Sequence, residues 1–281
     1  MGKVMERRYK CKNGVTEVTR YAVGENAKIR PRYRKAKSTE AKREENHMRA
    51  ARELARVLNC NATPEGWFVM LDYAPKSYDK IFAGMDEDQI LREAKRQGSL
   101  FLRRLKRIAG TEVKCVVTAS DREMQEDGTL IPCRIHNHVV VMGATEEQIR
   151  KAWKLGECVD VRHLYRQADY TPLAVYMVMQ VRSIQDMKKY QTTRNMEKPK
   201  VEDRVVKGDP CDEIRVQTGA KVLDRMTYKQ GSVVQYVRYL PRAKAEKRGG
   251  HKKTDCGSTD GSNGQIAEGG TGYDFSAASW G

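Results

Sequence analysis

The chain has 281 residues and a formal net charge of +16, with 53 lysines and arginines against 37 aspartates and glutamates. So large a positive charge indicates a polyanionic partner, and nucleic acid is the commonest one. Seven cysteines without a CxxC pair argue against a disulfide framework and against a zinc finger, and indicate a reducing cytoplasm. Because no apolar run is long enough to cross a bilayer and no apolar signal core follows the start, we expect a cytoplasmic protein without a membrane partner.

Residues 1–60 are predicted to form a basic N-terminal arm and a helix. Asn13-Gly14 favours a two-residue turn in a hairpin. A basic run follows, which is either a solvated segment or an arm that lies on a phosphate backbone. Its members are Lys28, Arg30, Arg32, Arg34, Lys35 and Lys37. From Ser38, apolar residues recur at helical spacing up to Leu58, which predicts a helix.

Residues 61–205 are predicted to be the main domain. From Trp67 the pattern predicts strand, helix, strand, strand, helix, strand, helix, with Pro75 closing the first strand. The long helix covers residues 86–108, where Gly98 is a candidate break. This order is typical of an antiparallel sheet with helices packed on one face, an α+β sandwich.

Helix-capping residues mark the two later helices of this domain. Thr145 and Gln148 have the spacing of a capping box, and Gly156 is predicted to follow the end of that helix. Thr171 is the predicted N-cap of the last helix, which continues to about residue 184, and Pro172 takes its first position. Residues 206–245 are predicted to form a β extension, and the Gly- and Ser-rich residues 246–281 to be disordered.

The stretch IPCRIHNHVVVMG, residues 131–143, carries two histidines in a predicted strand. Side chains alternate along a strand, so His136 and His138 share one face. The opposite face receives Ile135, Asn137, Val139 and Val141. Two imidazoles on one face can share a metal ion if a third group closes the site. The alternative is a pair of ordinary sheet histidines.

Candidates for the third ligand are Glu123 and Asp121, where the preceding strand ends. A hairpin would bring that end close to His136 or His138. The ordinary alternative for both residues is an acidic surface turn.

Tyr176 lies one turn into the last predicted helix and is a candidate nucleophile. A phenol with a pKa near 10 is a poor nucleophile, yet it can attack a phosphodiester when a metal draws charge from the phosphate. Tyr170, just before the helix, is a rival candidate. The ordinary alternative for Tyr176 is a tyrosine at the edge of the core.

Five segments in this order, WFVMLDY, RIHNHVVV, KAWKLGECVDVRHL, LAVYMVMQ and YQTTRNMEKPKV, resemble the rolling-circle replication initiators of the HUH endonuclease superfamily. They are most similar to the replication-associated proteins of bacterial plasmids and phages. The resemblance covers about residues 5–240 and is strongest over 67–205. It implies a ferredoxin-like (RRM-like) sheet, with His136 and His138 as ligands of Mg²⁺ or Mn²⁺. It also implies that Tyr176 attacks origin DNA, leaving a 5′-phosphotyrosyl enzyme and a free 3′-OH.

Two positions depart from the family pattern. Asn137 stands where relatives carry a large apolar residue or a further histidine, and Met179 and Gln180 stand where relatives tend to carry a lysine. Substitutes for that lysine at the phosphate are Arg182, Lys188 and Lys189, and Arg194 is a further candidate DNA contact.

The expected substrate is single-stranded or hairpin origin DNA, which a host DNA polymerase extends. The sequence has no Walker-type GxxxxGK[ST] motif, so unwinding is expected to fall to a host helicase. Two alternatives stay open: a transposase or relaxase with the same chemistry, and a basic nucleic-acid-binding protein without catalysis. In the second alternative, His136, His138 and Tyr176 are ordinary sheet and helix residues.

Overall fold

The structure, a computed structural model, describes residues 3–23, 40–184, 186–230 and 232–242. The basic run between Lys28 and Lys37 and the segment 246–281, expected to be disordered, lie outside the described residues. The described residues form an α+β structure with two five-stranded antiparallel sheets and five helices, which confirms the predicted class. None of these helices is both long and apolar enough to cross a membrane.

The elements follow one another along the described chain with bounds close to those predicted. They are β1 (Lys3–Lys10), β2 (Thr16–Val23), α1 (Glu40–Asn61), β3 (Trp67–Leu71), α2 (Pro75–Phe82), α3 (Glu87–Ala109), β4 (Lys114–Met124), β5 (Leu130–Met142), α4 (Glu146–Ala152), β6 (Cys158–His163), α5 (Thr171–Met179), β7 (Tyr190–Thr192), β8 (Lys200–Val206), β9 (Lys221–Gln230) and β10 (Ser232–Leu240). The short helix α2 and the strands β7 and β8 were not predicted. Pro75 follows β3, as predicted, and also begins α2. A proline is tolerated at the first helical position because the N–H that it lacks would have no partner there.

The central sheet has the strand order β6-β3-β5-β4-β7, and every neighbouring pair is antiparallel. Helices α2, α3 and α4 cover one face, and α1 and α5 cover the other. The prediction of helices on one face only is wrong, because β3, β4 and β5 place apolar side chains on both faces. Val69, Val117 and Val139 face α3, whereas Phe68, Val116 and Val140 face α1 and α5.

The second sheet has the order β8-β1-β2-β10-β9, so it joins strands from both ends of the chain. Segments that the sequence assigns to the arm, the main domain and the C-terminal extension therefore share one sheet. The hairpin at Asn13-Gly14 is confirmed, although three residues separate the closing pair Cys11 and Val15. Helix α1 lies between the sheets, where Arg56 stacks on the Tyr9 ring at 3.7 Å.

Helix α3 is continuous through Gly98 and begins with a capping box between Asp86 and Gln89. The expected break is absent because the glycine serves packing. A Cβ at Gly98 would lie 2.8 Å from Val117 Cγ1 and 3.3 Å from Asn137 Nδ2. The absence of a side chain lets α3 approach the sheet directly behind the histidine strand.

The capping box of α4 at Thr145 and Gln148 is confirmed. Gly156 has a different role from the one predicted. The helix ends at Ala152, and a Cβ on Gly156 would overlap the carbonyl oxygen of Asp72 in the segment that follows β3.

Helix α5 is shorter than predicted, since it ends at Met179. Thr171 is not its N-cap, because the hydroxyl and the amide of Thr171 both donate to the carboxylate of Asp169, at 2.6 and 3.0 Å. Asp169 therefore anchors the start of the helix.

Gly98→Ala should lower the free energy of unfolding by about 1–2 kcal/mol, because overpacking against Val117 outweighs the gain in helix propensity of about 1 kcal/mol. Denaturant unfolding measures this difference. A double-mutant cycle provides the control: in a Val117→Ala background, the same substitution should cost much less. An equal cost in both backgrounds would contradict the packing explanation.

Candidate active site

Strand β5 places the two histidines side by side, with ring centroids 4.6 Å apart. His138 is buried, with 2% of its surface exposed, whereas His136 is half-buried. The His138 ring lies 5.4 Å from the Phe68 ring and 5.2 Å from the Tyr176 ring, measured between centroids. The prediction that the histidines share one face is confirmed, and this face is the one covered by α5.

Asn137 lies on the opposite face, as predicted. Its Oδ1 accepts a hydrogen bond from the Tyr73 hydroxyl at 2.8 Å, and its Nδ2 donates to the carbonyl of Thr118 at 3.1 Å. Both polar groups of this buried side chain therefore have partners, which explains how the departure from an apolar residue is accommodated.

Burial lowers the pKa of both histidines. The pKa of His138 is lowered mainly by burial and to a smaller extent by the charges of His136 and Arg162. For His136, burial is the main cause and is opposed by the backbone of Arg134 and by nearby carboxylates. Both imidazoles are therefore neutral near pH 7, the form in which a histidine nitrogen can ligate a metal.

The Nδ1 atoms of both rings already have polar neighbours. His138 Nδ1 lies 3.2 Å from the hydroxyl of Ser120, and His136 Nδ1 lies 3.0 Å from the carbonyl of Arg134. An Nδ1–H that donates to the Arg134 carbonyl leaves the lone pair of His136 on Nε2. These contacts orient the rings as the outer partners of a metal-binding histidine do.

Tyr176 contacts the histidine face, and the rival Tyr170 does not. The Tyr170 side chain is buried and its hydroxyl donates to the carbonyl of Tyr165 at 3.3 Å. Tyr176 is half-buried on α5. Burial raises the pKa of Tyr176, while a hydrogen bond with Gln180 and the charge of Arg162 act in the opposite direction. The phenol is therefore protonated at neutral pH.

The two candidate third ligands differ in their surroundings. The Asp121 carboxylate accepts hydrogen bonds from the backbone N–H and from Nε of Arg182, both at 3.0 Å, and is thereby engaged. Glu123 is exposed. Its negative charge opposes the effect of burial on the His136 pKa and adds to the effect of burial on the Tyr176 pKa. Within the described residues, no three His, Cys, Asp or Glu side chains converge into a ready metal site.

Of the four predicted DNA-binding cations, Arg182 and Lys189 are engaged inside the protein. Arg182 pairs with Asp121, with Asp88 at 2.8 Å and with Glu87 at 3.5 Å, so its charge is already offset. Lys189 Nζ donates to the carbonyl of Val181 at 2.7 Å. Burial lowers the pKa of Lys189 to about 7.

The other two cations are exposed but lie away from Tyr176. Lys188 is beside α3, where its carbonyl accepts a hydrogen bond from Lys95 at 2.8 Å. Arg194 follows Thr193, whose N–H donates to the carbonyl of Cys115. Ser120 on β4 is the residue opposite His136, and Cys115 lies five positions away from it on the same strand. Five positions along a strand correspond to about 17 Å.

Arg162 on β6 is the cation that the sequence analysis missed. Its guanidinium carbon lies 5.2 Å from the centre of the Phe68 ring. Its positive charge opposes the effect of burial on the Tyr176 pKa and adds to the effect of burial on the His138 pKa. The register of β6 against β3 shifts between Phe68 and Met70, and Asp160 at this irregularity has φ of 50°. Asp160 also pairs with Arg162 at 3.1 Å.

No short-range signal in the sequence marks Arg162. The segment ECVDVRHLY reads as an ordinary strand, and only the irregular pairing with β3 brings Arg162 to the histidine face. Bulges of this kind redirect side chains and are common next to active sites.

No protein-family model, no curated protein and no solved structure matches this chain. The function of this chain is therefore inferred from the geometry of the histidine face and from the residues that carry the family resemblance.

Lys189→Met should make the protein more stable at pH 7 and below. In the folded protein the Lys189 pKa is about 7, and in the unfolded chain a lysine pKa is about 10.4. The unfolded chain therefore binds more protons between these values, so the unfolding free energy of the parent rises as the pH increases from about 7 to about 10. The advantage of the variant should shrink over the same window. Urea unfolding at several pH values measures it.

The exposed neighbour Lys188 provides the matched control for this prediction. Lys188→Met should leave the pH dependence of the unfolding free energy unchanged. If both variants had the pH profile of the parent, Lys189 would not be a buried lysine with a lowered pKa.

Proposed function

We propose that this protein nicks and rejoins single-stranded or hairpin origin DNA with Tyr176 as the nucleophile, and that it initiates rolling-circle replication. The observation that carries the proposal is the approach of the Tyr176 ring to within 5.2 Å of His138, which lies beside His136. The sequence resemblance implies a nucleophile and a metal-ligating pair at these three positions.

The topology of the central sheet supports the same proposal. Elements β3, α3, β4, β5, α4 and β6 follow the order βαββαβ, and their strands are arranged β6-β3-β5-β4. This is the element order of ferredoxin-like domains. The histidines lie on β5, an interior strand of that sheet, and the nucleophile lies on the helix that crosses it.

His136 and His138 would hold the Mg²⁺ or Mn²⁺, with the exposed carboxylate of Glu123 as third ligand. Both imidazoles are neutral, and their Nδ1 contacts leave Nε2 for the ion, so the two histidines fit as ligands of a divalent cation. Glu123 would have to move toward them to close the site, because no third carboxylate already converges with the histidines among the described residues. The bound ion would supply withdrawal of charge from the scissile phosphate.

In the proposed reaction the Tyr176 oxygen attacks the phosphorus of one phosphodiester. The bond between phosphorus and the 3′-oxygen breaks, so the DNA 3′ end leaves as a hydroxyl and the 5′-phosphate becomes esterified to Tyr176. With Glu123 as the third metal ligand, Asp160 is the other carboxylate whose charge acts on Tyr176, and it is the candidate to accept the phenolic proton directly or through water. The leaving 3′-oxygen takes up a proton from water. One phosphodiester replaces another, so rejoining needs no ATP.

The free 3′-OH is a primer that a host DNA polymerase extends. Because the sequence lacks a Walker-type motif, a host helicase is proposed to unwind the duplex ahead of it.

Arg162 is proposed to take the place of the lysine that relatives tend to carry after the tyrosine. It is half-buried near both Tyr176 and His138, where a cation interacts with developing negative charge more strongly than in open solvent. Arg182 and Lys189 do not fit this role, because carboxylates surround the first and a carbonyl engages the second.

Tyr176→Phe should abolish a covalent protein–DNA adduct that the parent forms with single-stranded oligonucleotides from its own replicon. Denaturing gels after incubation with Mn²⁺, with and without chelator, measure the adduct. Tyr170→Phe is the matched control and should retain it, because the Tyr170 hydroxyl is bonded to the backbone of Tyr165.

The outcomes of this experiment separate the alternatives. Metal-independent binding without an adduct on any oligonucleotide would indicate a non-catalytic nucleic-acid-binding protein. An adduct that joins strands but does not support plasmid replication in cells would indicate a transposase or relaxase with the same chemistry.

Arg162→Gln should reduce the rate of adduct formation by about 10²–10³-fold, because a preorganised cation at the reacting phosphate is lost. Affinity for the oligonucleotide should change little. Arg166→Gln, an exposed arginine beyond β6, is the control and should react at the parental rate. Single-turnover kinetics distinguish the two effects. A loss of affinity without a loss of rate would contradict the assigned role of Arg162.

A further inference from the structure

Helix α3 carries a cationic outer face, which we call the α3 stripe. Its members are Arg92, Lys95, Arg96, Arg103, Lys106 and Arg107. At 100° per residue they fall within about 120° of arc, and from first to last they span about 22 Å of helix. Each of these side chains is exposed or half-exposed.

The opposite side of α3 is apolar and buried. Leu91, Ala94, Phe101 and Leu105 pack against the central sheet and fix the rotation of the helix about its axis. The stripe therefore faces away from the sheet, on the side opposite to Tyr176 and the histidines.

Acidic residues are scarce along the stripe. Glu93 is the last one in α3, and it pairs with Arg96 at 2.7 Å. Among the described residues, no carboxylate lies within ion-pair distance of Arg103, Lys106 or Arg107. Lys188 adds a further exposed cation beside Lys95.

Such a stripe is unfavourable for the isolated helix. Arg103 and Arg107 are four residues apart, and like charges at this spacing destabilise a helix. A helix that only covered the sheet would not need three cations without a carboxylate at ion-pair distance on its outer face, as Arg103, Lys106 and Arg107 are among the described residues. The arrangement instead complements a row of phosphates.

We propose that the α3 stripe binds the phosphate backbone of duplex DNA. A straight stripe of about 22 Å spans about six base-pair rises of 3.4 Å along the axis of a duplex, a length over which it contacts phosphates on both sides of a groove. A duplex is stiff over this length and has a higher charge density than a single strand, so it suits a rigid helix face. The stripe binds the duplex without reading its sequence, since phosphate contacts carry no base information.

The position of this duplex beside the nick rests on the proposed function, whereas the binding itself does not. The single strand lies at Tyr176 on one face of the sheet, and the adjoining duplex lies along α3 on the other. The stripe therefore supplies affinity and orientation, and the histidine face supplies the chemistry.

The test compares the full chain with a triple variant, Arg103→Gln, Lys106→Gln and Arg107→Gln. Its matched control is a second triple variant, Lys207→Gln, Arg215→Gln and Lys221→Gln, which removes three exposed cations from the second sheet and its loop. Both variants have the same net charge. Binding to a short fluorescent duplex is measured by anisotropy over a range of NaCl concentrations.

The stripe variant should bind the duplex at least tenfold more weakly than the parent at about 150 mM salt, and its slope of log K against log salt should be shallower by about 2–3. The control variant should keep the parental slope. The melting temperature of the stripe variant should stay close to that of the parent, because the relief of repulsion within α3 is offset by the loss of Lys106 and Arg107 from the last turn of the helix.

Equal losses in both triple variants would overturn the proposal, because net charge alone would then explain the binding. A stripe variant that lost affinity only for a single strand would overturn it too, since the occupant would be different. Adduct formation on a short single strand should be kept by the stripe variant. If no version formed an adduct while duplex binding still depended on the stripe, the proposed function would fail and this inference would stand.

Discussion

The burial of the neutral His138 imidazole between the central sheet and α5 is the constraint on which the site depends. Burial opposes a charged ring, and the Ser120 hydroxyl gives the ring a polar partner in the interior. Helix α5 covers this ring with apolar residues that pack against α1 and the sheet; they are Leu173, Ala174, Met177 and Val178. At about 1.5–3 kcal/mol for each fully buried large side chain, this packing sets the rotation of α5 and with it the position of Tyr176.

Helix α1 transmits this arrangement to the rest of the protein because it packs on both sheets. Toward the central sheet it presents Leu54 and Leu58, which contact the layer containing α5. Toward the second sheet it presents Arg56, which pairs with the buried Glu17 at 2.8 Å. Removing one partner of such a buried pair costs about 3–5 kcal/mol, whereas the intact pair contributes little net stability. The pair therefore contributes to a single docking position of α1 more than to the total free energy of unfolding.

Sequence periodicity predicted the elements well, because those signals are local. The alternation along β5 identified the two faces correctly, and the capping box identified the start of α4. Pairing between distant segments could not be predicted in the same way. Strand β1 pairs with β8, which lies about 200 residues later in the chain, and no local pattern encodes that contact. Apolar runs such as VVV in β5 also do not reveal how many faces of a sheet are covered.

The candidate cations show the same difference between local and tertiary information. Arg182 and Lys189 carry positive charge close in sequence to Tyr176. Charge alone does not reveal that carboxylates engage Arg182 and that a backbone carbonyl engages Lys189. Arg162 comes from a different strand, and only the irregular register of β6 brings it to the site.

The proposed divalent ion would be favoured by the separation of the cations from the histidines. A dense group of arginines beside His136 and His138 would repel the metal, since like charges a few ångströms apart interact strongly where water is partly excluded. The charges that act on the half-buried His136 are those of Asp72, Glu123 and Asp121, which attract a cation. The α3 stripe is separated from the histidines by the sheet and by α3 itself, roughly 15 Å in all, so its charges repel an ion at His136 more weakly than arginines a few ångströms away would. Separate faces of the sheet would thus allow the proposed binding of DNA at the α3 stripe to coexist with the proposed binding of a metal at the histidines.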